Sequence, residues 1–276
     1  MFIDSHCHLS FPELRERLPE ILQAMADAQV GQALCICTTL EEFDAVHALT
    51  KQPQLWATVG VHPDNEGVRE PTLDDLLAGA ARPRVVGIGE TGLDYYRLEG
   101  RSLADMEWQR ERFRTHIRAA RQTDLPLVIH TRSASDDTLA ILREEGGFAG
   151  QAAGGDVARG VFHCFTETEA VARAALDLGF YISLSGILTF RNAADLRDVA
   201  RFVPMDRLLI ETDSPYLAPV PFRGKTNTPA LVPWVARQLA ELRGMTVEEV
   251  AQATSANFHT LFNRVPAHPE PQASLQ

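Results

Sequence analysis

A chain of 276 residues with 45% hydrophobic side chains can bury one large core or two small ones. It contains no run of 18 apolar residues, which excludes a helical membrane span on hydropathy. A net charge of −11 excludes the broad basic surface of a non-specific nucleic-acid binder, but not an enzyme whose local positive charge comes from bound cations.

In chain order, "MFID" opens a strand that runs into His6 and His8. Residues two apart in a strand share a face, so both imidazoles can lean toward one point, with Asp4 on the same alternation. "ELRERLPEILQAMADA" is a predicted helix, followed by strands "ALCIC" and "LWATVGV", the latter closed by His62. "VVGIGE" leads to Glu90 and then Asp94, and "MEWQRERFRTHIRAARQ" is helical. "LPLVIH" ends in His130 and Arg132, "DTLAILREE" is helical, and the glycine- and alanine-rich stretch 146–160 reads as a flexible loop. "GVFHCF" carries His163; "EAVARAALDLG", "FYISLS" and "ADLRDVARFV" alternate helix, strand, helix. "RLLIET" leads to Glu211 and Asp213. Two helices, "PALVPWVARQLAELRG" and "TVEEVAQATSANFHTLF", precede a tail over 266–276 that is expected to be disordered.

Strands that read as unbroken apolar runs are covered on both faces, as parallel strands under helices are. Eight such units predict an α/β protein with a (β/α)8 TIM barrel as a single domain over 1–265; a doubly wound open sheet is the alternative. The N-terminus leaves no room for a leader before the first histidine, so the expected location is the cytoplasm. Cys7, Cys35, Cys37 and Cys164 sit in apolar runs as small buried hydrophobes, without the paired C-x-x-C of a zinc knuckle.

In a parallel barrel all C-terminal strand ends open on one face. His6, His8, His62, His130 and His163, five of nine histidines, fall at such ends. His47, His116, His259 and His268 lie in helical stretches or the tail and read as surface or structural. Imidazoles and carboxylates gathered at one mouth need a counter-charge, which a divalent metal pair supplies. Imidazole suits Zn, Mn, Fe or Co, and carboxylate suits Mg or Mn. The candidate ligands outnumber the needs of one tetrahedral ion, and two ions about 3.5–4 Å apart would use them, with Glu90 on strand four as the natural bridge. Lys51 and Lys225, the only lysines, are not placed to form a carboxylated-lysine bridge. Alternation turns Cys7 away from its flanking histidines. Gly87 and Gly89 read as positions of close packing rather than nucleotide binding.

The motifs "DSHCHL", "VGVHP", "GETGLDYY", "PLVIHTR", "VFHCF", "LLIETDSPYLAP" and "RGKTNTPALVP", spread over residues 2–264, together resemble the TatD family of metal-dependent deoxyribonucleases, a branch of the amidohydrolase-like barrels. The resemblance implies two divalent ions per subunit (Mg2+, Mn2+ or Zn2+) and hydrolysis of DNA phosphodiesters by a metal-activated water. By position it implies His6 and His8 on one metal, Glu90 on both, His130 and His163 on the second, and Asp213 as the eighth-strand ligand. Asp213 is then the expected general base, with ligation alone as its other role, and His62 handles substrate phosphate or proton transfer. Arg132, Arg191, Arg223 and Lys225, at or after strand ends, are expected to hold phosphates at the rim, with a solvated surface charge as the alternative role of each. Asp94 and Glu211 orient their neighbours, and Asp4, Ser214 and Pro215 support strand ends. The 146–160 loop looks longer than in the family, which touches substrate preference. The expected substrate is DNA, single-stranded or at ends, cut by a 3'-5' exonuclease, with RNA second; the expected state is a monomer off the membrane. A small-molecule ester, amide or lactone hydrolase is the chief rival, and a non-catalytic metal-bearing barrel the third reading.

Overall fold

The apolar runs become β1 (Phe2–Cys7), β2 (Val30–Cys35), β3 (Leu55–Val59), β4 (Val85–Asp94), β5 (Leu127–Arg132), β6 (Gly160–Phe162), β7 (Tyr181–Leu184) and β8 (Leu208–Ile210). In this computed structural model, which describes residues 1–148 and 157–267, they form one parallel eight-stranded sheet in sequence order. β8 closes on β1 through a parallel bridge between Cys7 and Ser214. Asp213 N–H donates to His6 O at 3.0 Å and His8 N–H to Ser214 O at 2.8 Å. Asp4 accepts from Thr212 N–H at 2.9 Å and from the Thr212 hydroxyl at 2.5 Å, and burial pushes its carboxyl up to about 8 despite these donors. The open-sheet alternative is thereby overturned. β1 is irregular between Asp4 and Cys7, so Asp4 serves this seam instead of joining the imidazoles' common point.

Between strands run α1 (Pro12–Arg15), α2 (Leu18–Asp27), α3 (Phe43–Ala48), α4 (Leu73–Ala80), α5 (Glu107–Thr123), α6 (Ser135–Glu145), α7 (Glu169–Asp177) and α8 (Ala194–Phe202), with α9 (Val232–Arg243) and α10 (Val247–Leu261) after β8. The single predicted helix over 13–28 is two, because Pro19 has no N–H to donate and its ring excludes the preceding turn, so a new helix starts around it. Alternation splits the apolar residues into two layers. Ile3, Leu34, Val86, Val128, Val161 and Leu209 fill the barrel, capped by Phe258 and Phe262 of α10. Cys7, Ala33, Cys35, Leu127 and Ile129 pack under the helices. The predicted loop and tail fall largely on 149–156 and 268–276, outside the described residues. The loop's described flanks are tied together by Ala158 N–H donating to Gly146 O at 2.8 Å.

One face of α5 is polar yet buried, and it clamps two strand exits. Gln109 accepts from Asp94 N–H at 2.9 Å and donates to Asp94 O at 3.1 Å. Arg112 donates to His62 O at 2.7 Å and Asn65 O at 2.9 Å. His116 Nε2 accepts from Val61 N–H at 3.0 Å while Nδ1–H donates to Arg112 O at 2.8 Å, which fixes a neutral tautomer. Burial lowers this imidazole to about 4 from 6.5. Between those values the unfolded chain binds a proton that the folded chain refuses, so stability is complete above pH 6.5 and lost as pH falls. The advantage of wild type over His116→Gln in urea melts is therefore expected to shrink by about 3 kcal/mol across that window. A pH-independent gap would contradict the assignment.

Candidate metal centre

β1 delivers His6 and, just past its end, His8; β4 delivers Glu90 and β5 His130. His163 and Asp213 follow β6 and β8, and His62 follows β3. All seven border one cavity of about 490 Å³ or, for His6, lie beneath it against Glu90. Glu90 Oε2 is 3.3 Å from His6 Nε2 and 3.9 Å from His8 Nε2. Its Oε1 is 2.8 Å from His163 Nε2, 3.2 Å from His62 Nε2 and 3.3 Å from His130 Nδ1. His6 and His8 Nε2 stand 3.2 Å apart, with Asp213 Oδ1 at 3.6 and 3.4 Å. Donor atoms about 2.1 Å from a shared cation would lie roughly 3–3.4 Å from one another, so the set fits divalent ions. An unpartnered atom supports the fit: buried His163 Nε2 makes no hydrogen bond although Glu90 is close. The donors fall into three overlapping groups, His6–Glu90–His163, His6–His8–Asp213 and His62–Glu90–His130.

The protonation pattern shows a demand for positive charge. Burial alone would raise Glu90, but His163, His62 and His6 outweigh it and hold the carboxyl well below its usual range. Burial would likewise depress His163, yet Glu90 and Glu211 carry it well above the ordinary imidazole value. For His8 the bond to Asp213 overcomes burial, and for His130 the bonds to Asp94 and Glu90 do, so both are raised. For His6 and His62 burial wins and the rings are lowered. Asp213 is lowered against burial by its bond to His8.

Second partners aim the rings. Asp94 Oδ2 lies 3.0 Å from His130 Nε2, leaving Nδ1 for the centre. Glu211 Oε1 lies 3.2 Å from His163 Nδ1 and accepts from Cys164 N–H at 2.9 Å, leaving Nε2. His62 differs, because its Nδ1 accepts from Asp64 N–H at 3.0 Å. A neutral His62 then carries its proton on Nε2 and offers the site a donor rather than a lone pair. Cys7 faces the helices and its thiol donates to Leu34 O at 3.4 Å.

The rim is less uniform than the strand ends. Arg132 borders the cavity with its guanidinium 3.6 Å over the Tyr96 ring, joined by Arg97, which reading for strand ends passed over although it directly follows "GETGLDYY". Arg223 and Lys225 border a separate cavity beside Glu13, and exposed Arg191 borders neither. Buried Asn227, within "RGKTNTP", pins the loop after Asp213 by donating to Thr212 O at 2.9 Å and Tyr216 O at 2.7 Å. Among the described residues no helix is long and apolar enough to cross a membrane.

Comparison with known proteins agrees with this geometry. The family model described as TatD related DNase matches residues 3–263. The uncharacterized metal-dependent hydrolase YcfH of Escherichia coli K12 is 46% identical over 266 residues, covering 95% of each chain. YabD of Bacillus subtilis, named in the same way, is 38% identical over 264 residues, covering 95% of this chain and 99% of its own. The crystal structure of the TatD homologue YJJV from E. coli superposes with a TM-score of 0.86 at 32% identity, covering 96% of this chain and 98% of that one. An organophosphorus hydrolase mutant from Deinococcus radiodurans shares the fold alone, with a TM-score of 0.62 at 18% identity. The chain belongs to the TatD family and is a metal-dependent hydrolase.

Proposed function

We propose that this hydrolase acts as a monomer on phosphodiester bonds in DNA, as a 3'-5' exonuclease on single strands or ends. Its two divalent cations would be Mg2+, Mn2+ or Zn2+. The observation that carries the reading is the division of Glu90, whose two oxygens face different histidine groups. His6, His8 and Asp213 would hold one ion with Oε2, and His130 and His163 the other with Oε1. The chemistry such a pair supplies is a nucleophile from water at neutral pH and neutralisation of the attacking and leaving oxygens. Asp213 would take the water's proton, since its side chain is 16% exposed, against 3% for Glu90. His62 donates from Nε2 to a phosphate oxygen, and Arg132 with Arg97 offsets the remaining charge.

The rival reading, a small ester, amide or lactone hydrolase on the same ligands, draws support from the net charge of −11. Products decide between them. With Mg2+, Mn2+ and Zn2+ in turn, end-labelled single-stranded DNA is expected to shorten progressively and EDTA to stop it, with duplex DNA and RNA slower. Intact DNA beside rapid turnover of small esters would overturn the nuclease assignment.

A further inference from the structure

Tyr216 borders three cavities in a row. The first is the metal cavity. The second, about 450 Å³, shares His130, Arg132, His163 and Asp213 with it; its further wall is Thr131, Cys164, Thr166, Ile187 and Leu217, none of them charged at neutral pH. The third, about 400 Å³, presents Arg223 and Lys225 against a single carboxylate, Glu13. Charge thus alternates along the row: a centre built for an anion with Arg132 at its edge, a chamber whose further wall is uncharged, then a basic chamber. An unpaired polynucleotide has that same alternation of phosphate, nucleoside and phosphate.

The aromatic residue at the junction suits a base. Tyr216 is 55% exposed; of the other tyrosines, Tyr95 and Tyr181 are buried, and Tyr96, 60% exposed, carries the Arg132 guanidinium 3.6 Å over its ring. The Tyr216 backbone is pinned by Asn227, and its ring meets Phe11 edge-on at 6.3 Å, while Phe11 stacks on His8 at 4.8 Å. Neither Arg223 nor Lys225 has an ion pair among the described residues. Arg223 instead lies 3.6 Å over the Phe190 ring and Lys225 5.8 Å over Phe222. An acidic chain that leaves two cations unpaired beside its site leaves them for an anion.

We infer that Tyr216 is a stacking platform for the nucleoside next to the scissile phosphate, and that Arg223 and Lys225 hold the following phosphate of a single strand. The inference rests on the nuclease reading and makes the grip extend at least one nucleotide beyond the bond being cut. Stacking on an aromatic ring is tolerant of sequence, and each phosphate held adds to the salt dependence.

The test compares kcat/KM for oligothymidylates and oligouridylates of two, four and eight nucleotides with the Mn2+-loaded enzyme. Bis(p-nitrophenyl) phosphate serves as a probe too short to reach the third cavity. Wild type is expected to gain with length, Tyr216→Ala to lose that gain by roughly tenfold, and Tyr216→Phe to keep it. Arg223→Ala with Lys225→Ala should flatten the log–log salt dependence by about 0.7, the share of the one phosphate they hold. Circular dichroism melts confirm that the variants fold; if Tyr216→Ala does not, Tyr216→Leu supplies the same comparison. A gain with length that survives loss of the ring overturns this inference and leaves the nuclease reading standing. Turnover of the small diester with no oligonucleotide cut overturns both.

Discussion

Glu90→Ala is expected to reduce turnover about 10³-fold and to lower the divalent metal bound per chain, read by elemental analysis of dialysed protein. Among the described residues Glu90 is the one acid within 4 Å of His6, His62, His130 and His163 together, so its removal strips both proposed ion positions of their shared oxygen donor. The loss differs from an ordinary buried-charge deletion, which leaves an uncompensated partner charge and destabilises the fold. Here the partners are imidazoles, which shed their protons and become neutral. Glu90→Ala should therefore fold well and fail to load metal. Unchanged metal content with full activity would remove Glu90 from the bridging position.

Gly92→Ala is expected to be the most damaging single change to the fold, about 4 kcal/mol or more by urea or thermal melts. Gly92 has φ +128, where a Cβ would stand 2.0 Å from the carbonyl oxygen of His130, its partner on β5. The obstacle is backbone on a strand that also delivers a site histidine, so it cannot swing aside. Gly67→Ala separates strain from clash: its φ is +70, but a Cβ there meets nothing within 4 Å, and it should cost about 1 kcal/mol. Equal losses for the two variants would mean that contact with β5 is not what demands glycine.

The parallel eightfold repeat and the histidine-bearing strand ends could be read from sequence because both obey short-range rules. Apolar runs mark strands covered on two sides, and barrel geometry gathers their ends whatever the loops do. The polar face of α5 is not legible in the sequence because Gln109, Arg112 and His116 bond to backbone groups of distant strand exits and loops, and such partners leave no periodic trace. His116 looked like any helical histidine, yet it is fully buried. Arg223 and Lys225 come after β8 in sequence, but a loop's path is set by pins such as Asn227, which carried them to a neighbouring cavity. The apolar run "VVGIGE" stops at Glu90, but β4 runs on to Asp94, at the end of "GIGETGLD", because Gly92 allows it to pass close to β5.

The seam where β8 meets β1 places chemistry at the junction of the chain's first and last strands: Asp213 N–H donates to the carbonyl of His6, and His8 N–H to that of Ser214. A nascent polypeptide emerging from the ribosome exposes His6 and His8 roughly two hundred residues before Asp213 and Glu211 are made. Until that late segment arrives, the early histidines have no carboxylate across the seam to complete a cage. The proposed cage of His6, His8 and Asp213 is thus a property of the closed barrel, complete only once the segment carrying Asp213 docks on β1.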